Sequence, residues 1–256
     1  MYLLKSCAIA ISMYSKIPVP RVEWNKKNMK YAMCFFPVVG AVLGILEFMM
    51  GKLLLKMGAG TMIFAAAMTL IPILVTGGIH MDGFMDTIDA LSSYGDREKK
   101  LEILKDSHAG AFAILGMCCY LLWNTSLWSQ VTPRMLPVIS MGYVLSRSLS
   151  GLSVAAFSPA RKDGLAKTFQ DGAQKKTVVI TMAVYIVLCA AWMLRISLTM
   201  GAAALAAAGL IFSYHYYTCR NKFGGITGDL AGYFLQICEL GMLTAIMLTG
   251  GIAWKF

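Results

Sequence analysis

The sequence predicts an all-α protein: a polytopic integral membrane bundle of about seven transmembrane helices, preceded by a short interfacial helix. Three observations carry this. Of the 256 residues, 58% are hydrophobic and only 14% charged, with mean hydropathy +0.65, against about 25% charged residues in a soluble domain. The chain contains repeated apolar runs of the roughly 20 residues that a spanning helix needs. Its Lys and Arg are concentrated on alternate connections, as the positive-inside rule requires of a multi-pass protein.

The elements follow in order. Residues 3–13 are apolar but too few to span, and the preceding residues with Lys5 lack a small-residue cleavage site, so the segment reads as a retained interfacial helix. Spans are expected near residues 31–55, 61–79, 111–129, 135–157, 177–194, 198–217 and 230–253. Pro37, Pro72 and Pro137 fall inside them and are tolerable in membrane helices, where neighbours satisfy the freed backbone groups. Seventeen of the 23 Lys and Arg lie in the N-terminal segment and in 80–110, 158–176 and 218–229. Five (Lys52, Lys56, Arg134, Arg195, Lys255) lie opposite, and Arg147 alone falls within a span. A cell-membrane protein with a cytoplasmic N-terminus, and with those three loops on the same side, is expected. The whole chain, 1–256, reads as one membrane-embedded domain.

The net charge of +10 is accounted for by this topology; no basic stripe with interleaved aromatics appears, so no nucleic-acid partner is expected. The seven cysteines show neither CxxC nor Cys/His zinc spacing and read as small packing residues.

The chemistry concentrates in "GGIHMDGFMDTIDALSSYGDREKKLEILKDSHAG", residues 77–110. It holds seven of the thirteen acidic residues: Asp82, Asp86, Asp89, Asp96, Glu98, Glu102 and Asp106. On a helix, Asp82, Asp86 and Asp89 (i, i+4, i+7) point within about 60° of one another. Carboxylates that close repel unless a cation sits among them. Two partners remain open: the basic side chains of Arg97, Lys99, Lys100 or Lys105, and a divalent metal. All-oxygen donors suit Mg²⁺, which is often held by one or two carboxylates with substrate phosphates completing its shell. Gly77 and Gly78 before the cluster, and Gly83 within it, allow close approach of a ligand or another helix.

A second glycine loop, "FGGITGD" (223–229), opens the last span on the same side. Its helix start can receive a phosphate, with Asp229 adding a metal ligand, while helix capping by Thr227 and Asp229 is the plain structural alternative. "GGIHMD" and "GGITGD" share only GGIxxD, which reads as coincidence. Asp106 and Ser107 are candidates either for capping the third span or for the site; Asp96 reads as the cap of a surface helix whose Leu101 and Leu104 rest on the membrane. Arg147 in "LSRSLSG" is an intramembrane charge whose partner is Glu47, Glu239, a cluster aspartate or a substrate phosphate. His80 points about 160° from Asp82 if helical, a weaker ligand position. His108 reads as a solvated loop residue and His215 as a member of the interfacial aromatic belt. Together these residues support a membrane-embedded aspartate site suited to Mg²⁺ and a diphosphate, for phosphoryl transfer by positioning and charge neutralisation.

"GGIHMDGFMDTIDA", "REKKLEILKDSHAGAF" and "GGITGD", with "SKIPVP", "FFPVVGAVLG", "LSRSLSG" and "ARKDGLAKTF" in order over nearly the whole chain, resemble cobalamin synthase, the adenosylcobinamide-GDP ribazoletransferase family. The resemblance implies a Mg²⁺-dependent membrane enzyme of late coenzyme B12 synthesis. It would join adenosylcobinamide-GDP to α-ribazole or its 5′-phosphate, releasing GMP. By position it implies metal binding by Asp82, Asp86 and Asp89, and site roles for His80, Asp106, Gly77, Gly78, Gly224, Gly225, Thr227 and Asp229. Lys105, Arg147 and Arg161 are the proposed phosphate contacts. Homo-oligomerisation or association with other enzymes of the pathway is compatible with it. The chain departs from the family pattern at Ala90, His108, Ala111 and Ala113, which touches loop shape and not the aspartates. Two other classes stay in view. A CDP-alcohol phosphotransferase-like lipid enzyme shares clustered aspartates but not the "DGFMDT" continuation. A cation-coupled transporter is expected to place its acids near the bilayer midplane.

Overall fold

The computed structural model describes residues 2–162 and 164–252, so Ala253 and Lys255 lie outside the described residues. The helices are α1 (Tyr2–Tyr14), α2 (Lys26–Met29), α3 (Phe36–Lys56), α4 (Thr61–Thr76), α5 (Ile79–Ser92), α6 (Arg97–Ile103), α7 (Ala111–Trp128), α8 (Leu136–Ala156), α9 (Leu165–Gly172), α10 (Lys175–Ile196), α11 (Leu198–Thr218) and α12 (Gly228–Ile252). A 3₁₀ turn, Ala32–Phe35, leads into α3, and a π turn, Cys219–Phe223, ends α11. Among the described residues there is no β-strand, only an isolated parallel bridge between Pro159 and Ile226.

Six helices (α3, α7, α8, α10, α11 and α12) are long and apolar enough to cross a bilayer. The seventh expected span differs in form. Its helix stops at Thr76, because Gly77 (φ 66°) and Gly78 (φ 80°) both take left-handed backbone, and α5 leaves at 95° to α4. Such φ values suit glycine because it has no Cβ. The glycine pair therefore makes a corner. Lys16 passes over it: a methyl group at Gly77 would lie 2.2 Å from the Lys16 Cε, and the Lys16 N–H donates to the Val75 carbonyl at 2.8 Å.

The bundle is built around α8, which packs on α3, α10 and α12 and is the most buried of the long helices. Gly40 and Gly44 let α3 come close to it; a Cβ on either would lie 2.3 Å from the carbonyl oxygen of Tyr143 or Ser140. This is the small-residue contact by which membrane helices approach when lipid gives no hydrophobic drive. Outward faces carry Met62, Leu122, Leu188 and Leu210, exposed apolar residues that suit a hydrocarbon surrounding.

Two expectations about burial are corrected. Leu104 is 5% exposed, in a core cluster with Ala90 and Phe223, and Leu101 packs against that cluster. α6 is therefore clamped onto the protein, its Asp96 cap accepting from the Lys99 N–H at 2.9 Å as expected. His215 is fully buried between Phe157 and Phe234, ring centroids 5.7 and 4.8 Å away, instead of joining an interfacial belt.

The basic segments expected to share one side do gather at one end. The Gln174 N–H donates to the Lys30 carbonyl at 3.2 Å, Arg161 Nη2 to the Leu101 carbonyl at 2.6 Å, and the Ala160 N–H to the Ile226 carbonyl at 3.0 Å.

Candidate active site

At that end α5 and α12 start side by side. A methyl group at Gly83 would sit 2.8 Å from the Asp229 carbonyl oxygen, and one at Gly232 would sit 3.2 Å from that of His80. The small residues draw Asp82 and Asp229 to the wall of one cavity of about 270 Å³. Here the shared GGIxxD pattern acquires a structural meaning. In each copy a left-handed glycine precedes the helix and the aspartate lies in its first turn, where the positive end of the helix dipole favours an anion.

Asp82 is exposed and Asp86 half-buried on the same face of α5. The charges of Asp82, Asp229, Asp89 and Asp106 all act on Asp86. Among the described residues no Lys or Arg forms an ion pair with Asp82 or Asp86. Of the expected basic partners, Lys100 is buried, donating to the carbonyls of Ser93 and Gly95 at 2.8 and 2.7 Å. Lys99 pairs with Glu102. No three His, Cys, Asp or Glu among the described residues are grouped closely enough to hold an ion alone. A cation bound at Asp82 and Asp86 would therefore need the rest of its shell from water or substrate phosphates, as Mg²⁺ commonly takes it.

Asp89, expected as a third metal ligand, is instead a helix cap. Its two carboxylate oxygens accept from the backbone N–H groups of Gly110 (2.5 Å) and Ala113 (2.9 Å) at the start of α7. The cap anticipated from Asp106 or Ser107 is thus supplied from α5. Replacing Asp89 by alanine is expected to destabilise the fold by about 1 kcal/mol, as loss of a helix N-cap does. Thermal unfolding in detergent checks this, and the remaining folded protein should keep most of its turnover.

The other expected site residues divide. Asp106 is exposed and accepts from the His108 N–H at 3.0 Å and pairs with its Nδ1 at 2.7 Å, contacts that hold its carboxyl below the usual range. Thr227 caps α12, its Oγ1 accepting from the Leu230 N–H at 3.2 Å. Gly224 (φ 69°) lies under the Arg97 guanidinium, since a Cβ there would fall 1.9 Å from Cζ, and Gly225 abuts the Ser158 carbonyl oxygen. Arg161 acts electrostatically on Asp229, and Lys105 sits exposed just beyond α6. Arg147 is not brought to the aspartates: it is 1% exposed and paired with Glu239. His80 is buried in the cavity wall, its Nε2 without a hydrogen-bond partner. Sequence reasoning left Arg97 among several basic residues; its place over the second glycine loop depends on packing of α6 against the π turn.

Fold and site together define a polytopic helical membrane protein whose carboxylates cluster where two glycine-opened helices cross. The family profile described as Cobalamin-5-phosphate synthase matches residues 6–247, and the chain belongs to that family. It is 46% identical over 252 residues to an adenosylcobinamide-GDP ribazoletransferase of Lachnoclostridium phytofermentans, covering 97% of this chain and 95% of the relative. Enzymes of the same name from Clostridium perfringens (33% identical; 96% and 97% covered) and a Geobacillus species (29%; 94% and 94%) are also similar. No solved structure matches.

Proposed function

We propose that the protein joins adenosylcobinamide-GDP to α-ribazole or its 5′-phosphate, releasing GMP and forming adenosylcobalamin or its 5′-phosphate. The reading rests on the relatives' shared name over nearly their full length, and on one observation of the site: Asp82 and Asp229, from separate helices, share a cavity wall beside Asp86. In chemical terms a ribose hydroxyl attacks the phosphate that stays on the cobinamide, the P–O bond to GMP breaks, and the hydroxyl proton passes to a base.

In this reading Asp82, with Asp86 or Asp229, would hold Mg²⁺, water and the substrate phosphates completing its shell, and Asp106 is a further candidate ligand or base. A bound ion would supply positive charge to offset that of the diphosphate. Arg97, Arg161 and Lys105 supply positive charge at the rim. The α12 start, with its dipole and first-turn N–H groups, adds a site suited to phosphate. Catalysis is then mainly positioning and electrostatics, as is usual for phosphoryl transfer. The cytoplasmic face is the side proposed for the site, a reading supported by the share of Lys and Arg in the segments that build it.

The test is GMP release, with mass detection of the joined corrinoid, by purified protein in liposomes given both substrates with and without Mg²⁺. Metal-dependent product is expected. A folded protein that forms no product would return the chain to the lipid-phosphotransferase or transporter readings.

A further inference from the structure

The cavity beside the aspartates is more than their surface depression. Five elements besides the α5–α12 crossing enclose it: Tyr14 of α1, Met33 of the 3₁₀ turn, Phe36 of α3, Val154 of α8 and Phe169 of α9. Tyr14 lies 4.2 Å from Phe36 and 6.3 Å from Phe169, centroid to centroid. His80, stacked 6.0 Å from Tyr14, is 4% exposed and lines this cavity, its Nε2 having no partner. A buried polar atom left unpaired is costly, and native interiors rarely keep one without a reason. The wall is thus largely aromatic and aliphatic, with a few polar groups: His80, Ser150, Asp82 and Asp229.

We infer that this cavity receives the aromatic base of the acceptor nucleoside, with the His80 imidazole in its wall and the ribose directed at Asp82 and Asp229; this rests on the proposed ribazoletransferase reading. Three features select that occupant. At about 270 Å³ the space is near the lower end of the roughly 300–1,000 Å³ of small-molecule pockets, suited to one bicyclic ring system with its sugar and too small for a corrinoid. Aromatic walls match a flat, neutral heterocycle, for which offset and edge-on ring packing is favourable. The polar part of the lining, His80 and Ser150 beside the two aspartates, distinguishes the space from a slot for an acyl chain, which needs no polar wall. A nucleotide diphosphate, by contrast, needs the charged rim. The donor is therefore held outside the cavity and the acceptor within it, with the carboxylates between.

The experiment compares steady-state KM for both substrates, and titration-calorimetric binding of adenosylcobinamide-GDP, in the wild type, Val154→Phe and His80→Phe. The first variant fills the cavity and the second keeps a ring while removing the polar nitrogen. Each is expected to raise KM for α-ribazole by about tenfold or more, with donor KM and donor binding unchanged. An unaltered α-ribazole KM in both variants, or equal weakening of donor and acceptor, would overturn the inference. Wild-type turnover of α-ribazole combined with either of those results sinks the subsite alone. Absence of wild-type turnover sinks the functional reading and the subsite with it.

Discussion

Asparagine in place of Asp82 or Asp86 lowers the rate of GMP release by about 10²–10³-fold, the usual cost of removing one preorganised electrostatic group from a reaction centre. The side chains are nearly the same size, so packing is kept and only the charge is lost. Neither carboxylate caps a helix or forms an ion pair among the described residues, and Asp86 already feels four neighbouring carboxylates. Removing one negative charge relieves repulsion in the absence of metal, so the folded protein should be no less stable. The Mg²⁺ concentration for half-maximal activity should rise in both variants. Liposome assays over a Mg²⁺ series, beside thermal unfolding, check this. Activity retained with an unchanged metal requirement would refute the placement of the ion. Asp89→Ala provides the contrast: a carboxylate on the same face whose loss is felt in stability, because its oxygens hold α7.

That contrast shows where sequence reasoning succeeded and where it stopped. Runs of twenty apolar residues announce spanning helices almost independently of context, and the observed α3, α7, α8, α10, α11 and α12 begin or end within a few residues of the expected spans. The face shared by Asp82, Asp86 and Asp89 follows from helical period alone. What Asp89 does with its oxygens does not, because its partners lie 21 and 24 residues further along the chain. The corner at Gly77-Gly78 has a local signal, two adjacent glycines, but that signal fits room for a ligand or helix as well as the left-handed turn that the structure shows. His215 and Leu104 illustrate a limit particular to membrane chains. When most positions are apolar, the pattern no longer distinguishes a side chain facing lipid from one facing protein. The meaning of GGIxxD likewise appears only once α5 and α12 are seen to cross at those residues.

Arg147 gives the second large effect, and it falls on stability. Its guanidinium is 1% exposed and paired with Glu239; Nη1 also donates to Ser146 Oγ at 3.0 Å and to the Tyr143 carbonyl at 3.3 Å, while Ser146 Oγ donates to Glu239 at 2.8 Å. The pair joins α8, the centre of the bundle, to α12, which carries Asp229. Removing one partner leaves a buried charge uncompensated and costs about 3–5 kcal/mol, so Arg147→Met and Glu239→Met should each sharply lower the unfolding midpoint in detergent. Replacing both by apolar side chains of similar volume is often neutral or stabilising, so Arg147→Met/Glu239→Met should recover a folded protein. The double variant also separates two roles. If Arg147 serves only to tie α8 to α12, the recovered protein releases GMP at close to the wild-type rate. If its charge reaches substrate phosphate during turnover, one of the partners the sequence left open beside Glu239, the protein is folded and inactive. The geometry favours the first result, since the guanidinium is buried and already committed to Glu239.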